Sequence, residues 1–325
     1  MNKRAGFVAA GAMVLALTGG AVSGQTKWDM ATAYPDGNFH TRNIRQFADE
    51  VAKASGGKLQ IIVHSNASLI KMPEIKRAVQ TGQVPIGEIA ISVLGNESVV
   101  YAFDSNPFLS NSYEKANKLW QAAKPVISRR MDAQGIRVLY SVAWPPQGIY
   151  TKKDVNSLAD LKGSKFRTYS PTTSRFAELI GAIPTLVQQA EVPQAFRTGL
   201  VDAMITSGAT GVDTQAWDYL THFYDTRAMM VQNVVFANKG AFDKLDAATQ
   251  KAVLTAAAAA ETRGWKTSEA ENENHLKIMA AKGIKILQPS AKLMAEFEAV
   301  GKQMIEEWVK RAGPDGEAIL AAFRK

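Results

Sequence analysis

The sequence predicts an α/β protein made of two sheet-forming units in series with one long helix after them. Three observations carry this. Strand-like and helix-like segments alternate from Lys27 to Ala143, the alternation restarts near Val155, and about 36 residues from Asp246 to Ala281 run without proline. Strand-helix alternation is the pattern of a parallel sheet covered by its crossover helices.

In the first unit, Lys27 to Ala33 reads as a strand. Asn38 to Ser55 carries apolar residues at Phe39, Ile44, Phe47, Val51 and Ala52, which is helical spacing. Gly56-Gly57 stops that helix, and Leu59 to His64 is the next strand. Glu74 to Thr81 is a short helix closed by Gly82, Val84 to Ser92 a buried strand, Tyr113 to Gln134 a long amphipathic helix and Ile136 to Ala143 the strand behind it. The second unit repeats the plan with strand Ser164 to Tyr169, helix Thr173 to Ile180, apolar run Ile183 to Val187, helix Val192 to Thr198 and strand Ala203 to Thr206. The Asp246–Ala281 segment is rich in Ala, Glu, Lys and Leu and would span roughly 50 Å as one helix. It reads either as a spine shared by two lobes or as two helices broken at Gly264-Trp265.

Composition narrows the class. Lys3 and Arg4, the apolar run Phe7 to Leu17 and the small residues Ala21 to Gly24 form a signal peptide, with an uncleaved anchor as the alternative. The apolar run is shorter than the roughly 20 residues that span a bilayer, and no later segment is apolar for long enough. The mature protein is therefore expected in the periplasm. The 325 residues contain no cysteine, which excludes disulfides and thiolate metal sites. The formal charge of +8 falls to +6 when Lys3 and Arg4 leave, and the basic residues lie among acids with no run interleaved with aromatics. That argues against nucleic acid as a partner and for a mild bias towards small anions.

The segment from Asn156 to Ser170 delivers Arg167 into the middle of a short strand behind a Gly-marked turn. A guanidinium is a planar fork that grips a carboxylate through two parallel hydrogen bonds, so a strand-borne arginine can orient an acid ligand. A plain surface arginine on an edge strand is the alternative. No nucleophile elbow, dinucleotide fingerprint, phosphate-cradling loop or His-Glu-x-x-His motif occurs, and His40, His64, His222 and His275 lack ligand spacing. No metal or cofactor is predicted.

Taken together, Leu161-Lys-Gly-Ser-Lys-Phe-Arg167, Glu191-Val192 leading into Thr198-Gly-Leu-Val-Asp-Ala203, Asp104-Ser-Asn-Pro-Phe-Leu109, the signal peptide and the long helix resemble the solute receptors of tripartite ATP-independent periplasmic (TRAP) transporters. The resemblance covers essentially the whole mature chain. It implies a two-lobed periplasmic-binding-protein-like fold that closes on an organic acid and hands it to membrane permease subunits without doing chemistry. The expected lobes are residues 25–145 with about 233–270, and 146–232 with about 271–325. Arg167 falls at the position that grips the ligand carboxylate. Thr206, followed by Ser207, replaces a carboxylate-binding asparagine of many relatives, and Gln147 stands where sialic-acid receptors carry a second arginine. One arginine and a glutamine suit a monocarboxylate.

Other candidates line up around that arginine. Glu88 and Ser92 lie at the carboxyl end of a strand, where open α/β sheets bind ligands, and a buried acid there would accept from the hydroxyls of a polyol-like acid. Tyr34, Phe39 and His40 follow the first strand, where the family's first loop meets the cleft. Trp144 and Trp217 are either pocket walls or core. Tyr169 and Gln189 are neighbours of the arginine strand. The expected ligand is a hydroxy-acid, sugar acid or short aldonate, with aromatic acids left open. Two rivals remain: an exported enzyme using Glu88 and His40 as acid and base, and a receptor for an ABC or tricarboxylate transporter.

Overall fold

A computed structural model of the chain describes residues 25–325; the signal peptide expected at 1–24 lies outside them. The first unit runs β1 (Thr26–Ala31), α1 (Phe39–Ala54), β2 (Leu59–His64), α2 (Met72–Gln80), β3 (Ile86–Ala90), α3 (Tyr113–Asp132) and β4 (Ile136–Ala143). The second runs β5 (Gln147–Thr151), β6 (Lys165–Thr168), α4 (Pro171–Leu179), β7 (Ile183–Leu186), α5 (Val192–Arg197), β8 (Ala203–Ser207), α6 (Gly208–Asp213) and β9 (His222–Tyr224). The chain then returns through β10 (Gln232–Asn238), α7 (Lys239–Asp243), α8 (Ala247–Ala281), β11 (Lys285–Leu287) and α9 (Ala291–Arg324).

Local chemistry sets many helix starts. Asn38, Ser112, Ser170, Asp246 and Ser290 each accept a backbone N–H of the first turn, which satisfies a donor the helix itself leaves free. Pro171 at the first position of α4 costs nothing because its missing N–H would be unpaired there anyway.

Two sheets result, with strand orders β2-β1-β3-β10-β4 and β11-β9-β5-β8-β6-β7. Neither is purely parallel, which corrects the sequence expectation. β10 pairs antiparallel with both β3 and β4, and β5 pairs antiparallel with both β8 and β9. The chain crosses between the sheets from β4 to β5, back from β9 to β10 and again through α8 to β11, and the strands that follow the first two crossings, β5 and β10, run against their neighbours. Gly148 permits the tight contact of β5 with β9, because a Cβ there would meet the Tyr224 carbonyl oxygen at 2.3 Å.

The β4–β5 and β9–β10 crossings lie side by side. Trp144 N donates to Val231 O at 2.8 Å, Gln147 N to Met229 O at 2.9 Å and Ala228 N to Gln147 O at 2.9 Å. Pro145 and Pro146 between them have no N–H to offer and hold φ near −65°, so the ladder is interrupted there by a stiff joint.

α8 is one continuous helix of 35 residues, and Gly264 does not break it. A Cβ at 264 would meet Val142 Cγ2 at 2.4 Å and Asn43 Nδ2 at 2.8 Å, so glycine is what lets the helix lie against β4 and α1. Asn43 Nδ2 donates to Ala260 O and Trp265 Nε1 to Ser141 O, each at 2.9 Å, fastening this part of α8 to the first unit. Its far end packs on the second, where Tyr150 Oη reaches Met279 Sδ at 3.1 Å. α9 had no counterpart in the sequence expectation. It packs on α3 and α4, with Trp308 Nε1 donating to Val99 O at 2.7 Å and Arg175 bridging to Glu307. The principal core extends from the first sheet through α9 to β6 and α4, while a smaller one gathers Tyr150, Phe196 and Phe223. No described helix is long and apolar enough to cross a membrane.

Candidate functional site

Arg167 projects from β6 into the space between the sheets and is only 3% exposed. Its Nε donates to Val187 O at 2.8 Å, and its guanidinium lies 5.1 Å from the centre of the Tyr169 ring. Burial pulls its pKa down to about 10, and the groups that oppose this are Tyr169, Tyr219 and Tyr34, with no carboxylate among them. Burying a guanidinium without an anion is expensive, so such a charge in a cavity is a prepared anion receiver.

The cavity has about 340 Å³ of space, mouth included. Tyr34, Met72 and Ala90 come to it from the first unit, and Trp144 and Val231 from the paired crossings. Gln147, Arg167, Tyr169, Gln188, Gln189, Thr206 and Thr210 come from the second. Arg167 is the one charged residue of this lining.

Hydrogen bonds orient the wall. Tyr169 Oη donates to Gln147 Oε1 at 2.8 Å, which leaves the Gln147 amide nitrogen as a donor. Trp144 Nε1 and Tyr34 Oη both donate to Asn233 Oδ1, at 2.8 and 3.1 Å. An indole N–H can only donate, so it dictates which end of the Asn233 amide faces the wall. The Tyr34 and Trp144 rings meet edge to face at 5.0 Å, and Phe39 meets Trp144 the same way at 5.5 Å.

Tyr34, Trp144, Gln147, Arg167, Tyr169, Gln189 and Thr206 thus converge on one cavity, as they should if the arginine strand is its centre. The other sequence candidates do not line it. Phe39 and His40 stand behind Trp144, with His40 packed 4.1 Å from Phe39 and 4.5 Å from Trp144. Burial holds His40 well below its ordinary pKa, so it is neutral and its 3.5 Å approach to Glu88 is not an ion pair. Glu88 lies behind the same wall, where Thr32 Oγ1 donates to it at 2.7 Å; burial pushes it up to about 7. Ser92 is fully buried in a 3-10 turn after β3. Ser207 caps α6 through Thr210 N. Trp217 packs against the smaller core, 5.7 Å from Lys282 Nζ.

Sequence reasoning missed Met72, Ala90, Gln188, Thr210, Val231 and the supporting Asn233. Gln188 was within reach, since it follows an apolar run at the carboxyl end of a strand. Asn233 and Val231 were not, because β10 carries no alternation that marks it as a central strand. Among the described residues no cluster of three or more potential metal ligands forms.

Residues 30–311 match DctP, the bacterial extracellular solute-binding protein family 7. The chain belongs to the DctP family. Its resemblance to TRAP solute receptors is thereby met, as is the two-lobed α/β architecture, and the family is one of transport receptors rather than enzymes. Among similar structures is DctP7 of Bordetella pertussis, an extracytoplasmic solute receptor binding pyroglutamic acid. It is 51% identical, with a TM-score of 0.92 over 92% of this chain and 100% of that one. A marine metagenome TRAP solute-binding protein specific for pyroglutamate is 39% identical, with a TM-score of 0.91 over 92% of this chain and 99% of that one. The C4-dicarboxylate-binding periplasmic protein DctP of Rhodobacter capsulatus is 25% identical over 291 residues, 86% of each chain. As a DctP-family member, the protein is a bacterial extracellular solute-binding protein.

Proposed function

We propose that this receptor takes a compact cyclic monocarboxylate, of which pyroglutamate is the model, into the cavity around Arg167 and delivers it to a TRAP permease from the periplasm. The single observation that carries the reading is the buried Arg167, unbalanced by any carboxylate and alone in charge along the cavity lining. One arginine grips one carboxylate. The edge-to-face pair of Tyr34 and Trp144 gives the cavity an aromatic wall that suits a small ring. Similarity to two receptors described as binding pyroglutamate adds to this.

A sugar acid is less well supported. That expectation rested on Glu88 accepting from several ligand hydroxyls, and Glu88 bonds to Thr32 behind the aromatic wall. A short hydroxy-acid is the second reading, favoured by the Thr206 and Thr210 hydroxyls in the lining. Glu88 and His40 fit an acid-base role poorly for the same reason of position. The lobes that move on binding would be residues 25–145 with about 233–270, and 146–232 with about 271–325. The paired crossings at 144–147 and 228–231 would be the hinge.

The experiment is a thermal-shift and calorimetric screen of the mature protein, freed of carried-over ligand by unfolding and refolding. A ligand that binds only the native state raises Tm with its saturation. A large shift with pyroglutamate, a smaller one with short hydroxy-acids and none with uronates is expected. Silence towards every monocarboxylate would overturn the reading.

A further inference from the structure

Gln188 lines the same cavity and directly follows Val187, whose carbonyl holds the Arg167 Nε. Gln188 and Arg167 thus line one and the same cavity. Gln188 Nε2 donates to Tyr169 O at 3.5 Å, and because a main-chain carbonyl can only accept, that contact sets the amide with its nitrogen towards Tyr169. Oε1 of Gln188 is buried and has no hydrogen-bond partner among the described residues. A buried acceptor without a donor is costly, so its persistence beside a ligand cavity calls for a donor that arrives with the ligand.

The Thr206 and Thr210 hydroxyls and the Gln189 oxygen can also accept, but of the lining's side-chain atoms Gln188 Oε1 is the one that is buried and without a partner among the described residues. Arg167 and the Gln147 amide nitrogen offer hydrogens, and the Gln147 oxygen is already taken by Tyr169. Gln188 is thus an acceptor in the same cavity as a carboxylate-gripping arginine. A ligand whose carboxylate sits on Arg167 brings to this place whatever its α-carbon carries.

We propose that Gln188 is a specificity-determining residue, whose Oε1 accepts a hydrogen bond from an N–H or O–H on the carbon next to the ligand carboxylate. In pyroglutamate that donor is the lactam N–H. The inference rests on the carboxylate reading of Arg167 given above, and it adds what the site demands of the rest of the molecule.

The test compares pyroglutamate with two ring analogues that keep the carboxylate and ring carbonyl but lack the N–H. These are 3-oxocyclopentanecarboxylate, with a methylene in its place, and 5-oxotetrahydrofuran-2-carboxylate, with an oxygen. Dissociation constants are measured by calorimetry on the mature protein and on Gln188→Leu and Gln188→Glu. The wild type should prefer pyroglutamate over both analogues by about 10- to 100-fold, the range expected when a buried polar group loses its partner. Gln188→Leu should bring the three ligands to within about threefold of one another, and Gln188→Glu, whose carboxylate competes with all three ligands for Arg167 but keeps an acceptor, should weaken them together while retaining the preference. Equal binding of all three by the wild type, or a preference that survives in Gln188→Leu, would overturn the role of Gln188 while leaving the receptor reading intact. The wild-type comparison decides even where a variant fails to fold. Failure of all three ligands to bind the wild type would overturn the pyroglutamate reading and this inference with it.

Discussion

The Asn38 side-chain amide donates to Oδ2 of Asp213 at 2.6 Å, joining the cap of α1 in the first unit to the end of α6 in the second. The same carboxylate oxygen accepts from Nε2 of Gln189 at 3.0 Å, so a single acceptor ties a cavity-lining residue to the opposite side of the cleft. Breaking this latch should shorten ligand dwell time without changing what is recognised. Asp213→Ala and Asn38→Ala should each raise koff by about 5- to 30-fold, the effect of one or two hydrogen bonds to a partly buried charge, with kon little altered. Stopped-flow displacement on the two single variants and the double variant checks it. Additive losses in the double variant would show that the two residues are not coupled.

Arg167→Met should separate binding from stability. Ligand affinity should drop by at least about 30-fold, since truncating one partner of a buried charge pair costs about 2–5 kcal/mol. The ligand-free protein should melt no lower than the wild type, and a few degrees higher is expected, because the substitution removes an uncompensated buried charge. Undiminished affinity would take Arg167 out of the site.

Acidity should stabilise the folded chain over a defined window. Burial pushes Glu88 and Asp104 up to about 7, from ordinary values of 4.5 and 3.8. A carboxyl whose folded pKa is raised contributes stability that is complete below its unfolded value and is lost as pH rises through the folded one. The Tm of the ligand-free protein should therefore fall between about pH 4 and pH 7 and level off above, and Glu88→Gln should flatten part of that slope. Melting curves across this range decide it.

Gly264→Ala sets helix propensity against packing. Alanine gains about 1 kcal/mol over glycine in a helix interior. Here the new methyl meets Val142 Cγ2 at 2.4 Å and Asn43 Nδ2 at 2.8 Å, neither of them the loose end of a long side chain. Overpacking of about 1–3 kcal/mol should win, giving a net loss of stability on denaturant melting and a weaker bond from Asn43 to Ala260. A gain in stability would mean that α8 can move off β4 freely.

Local pattern by itself determined a good deal about this protein. The apolar spacing of α1, the long helical run of α8 and the strand that carries Arg167 were all legible, because each is written in residues a few positions apart, although whether α8 breaks at Gly264 was not. The sequence also singled out Arg167 as a candidate against a plain surface arginine, and its burial in a cavity wall is what the structure adds.

The tertiary structure decided what no local run contains. β10 became the antiparallel strand between β3 and β4 only because the chain returns to the first sheet after building the second. Glu88 went behind the aromatic wall because Thr32, 56 residues away, offered it a hydroxyl. Gln188 and Asn233 owe their orientation to Tyr169 O and to Trp144 Nε1, partners that periodicity cannot name. The physical reason is that hydrophobic spacing reports which face of an element must be covered. Which distant residues cover it, and which polar atoms are then left facing the cavity, is settled by packing and hydrogen-bond satisfaction over the whole chain.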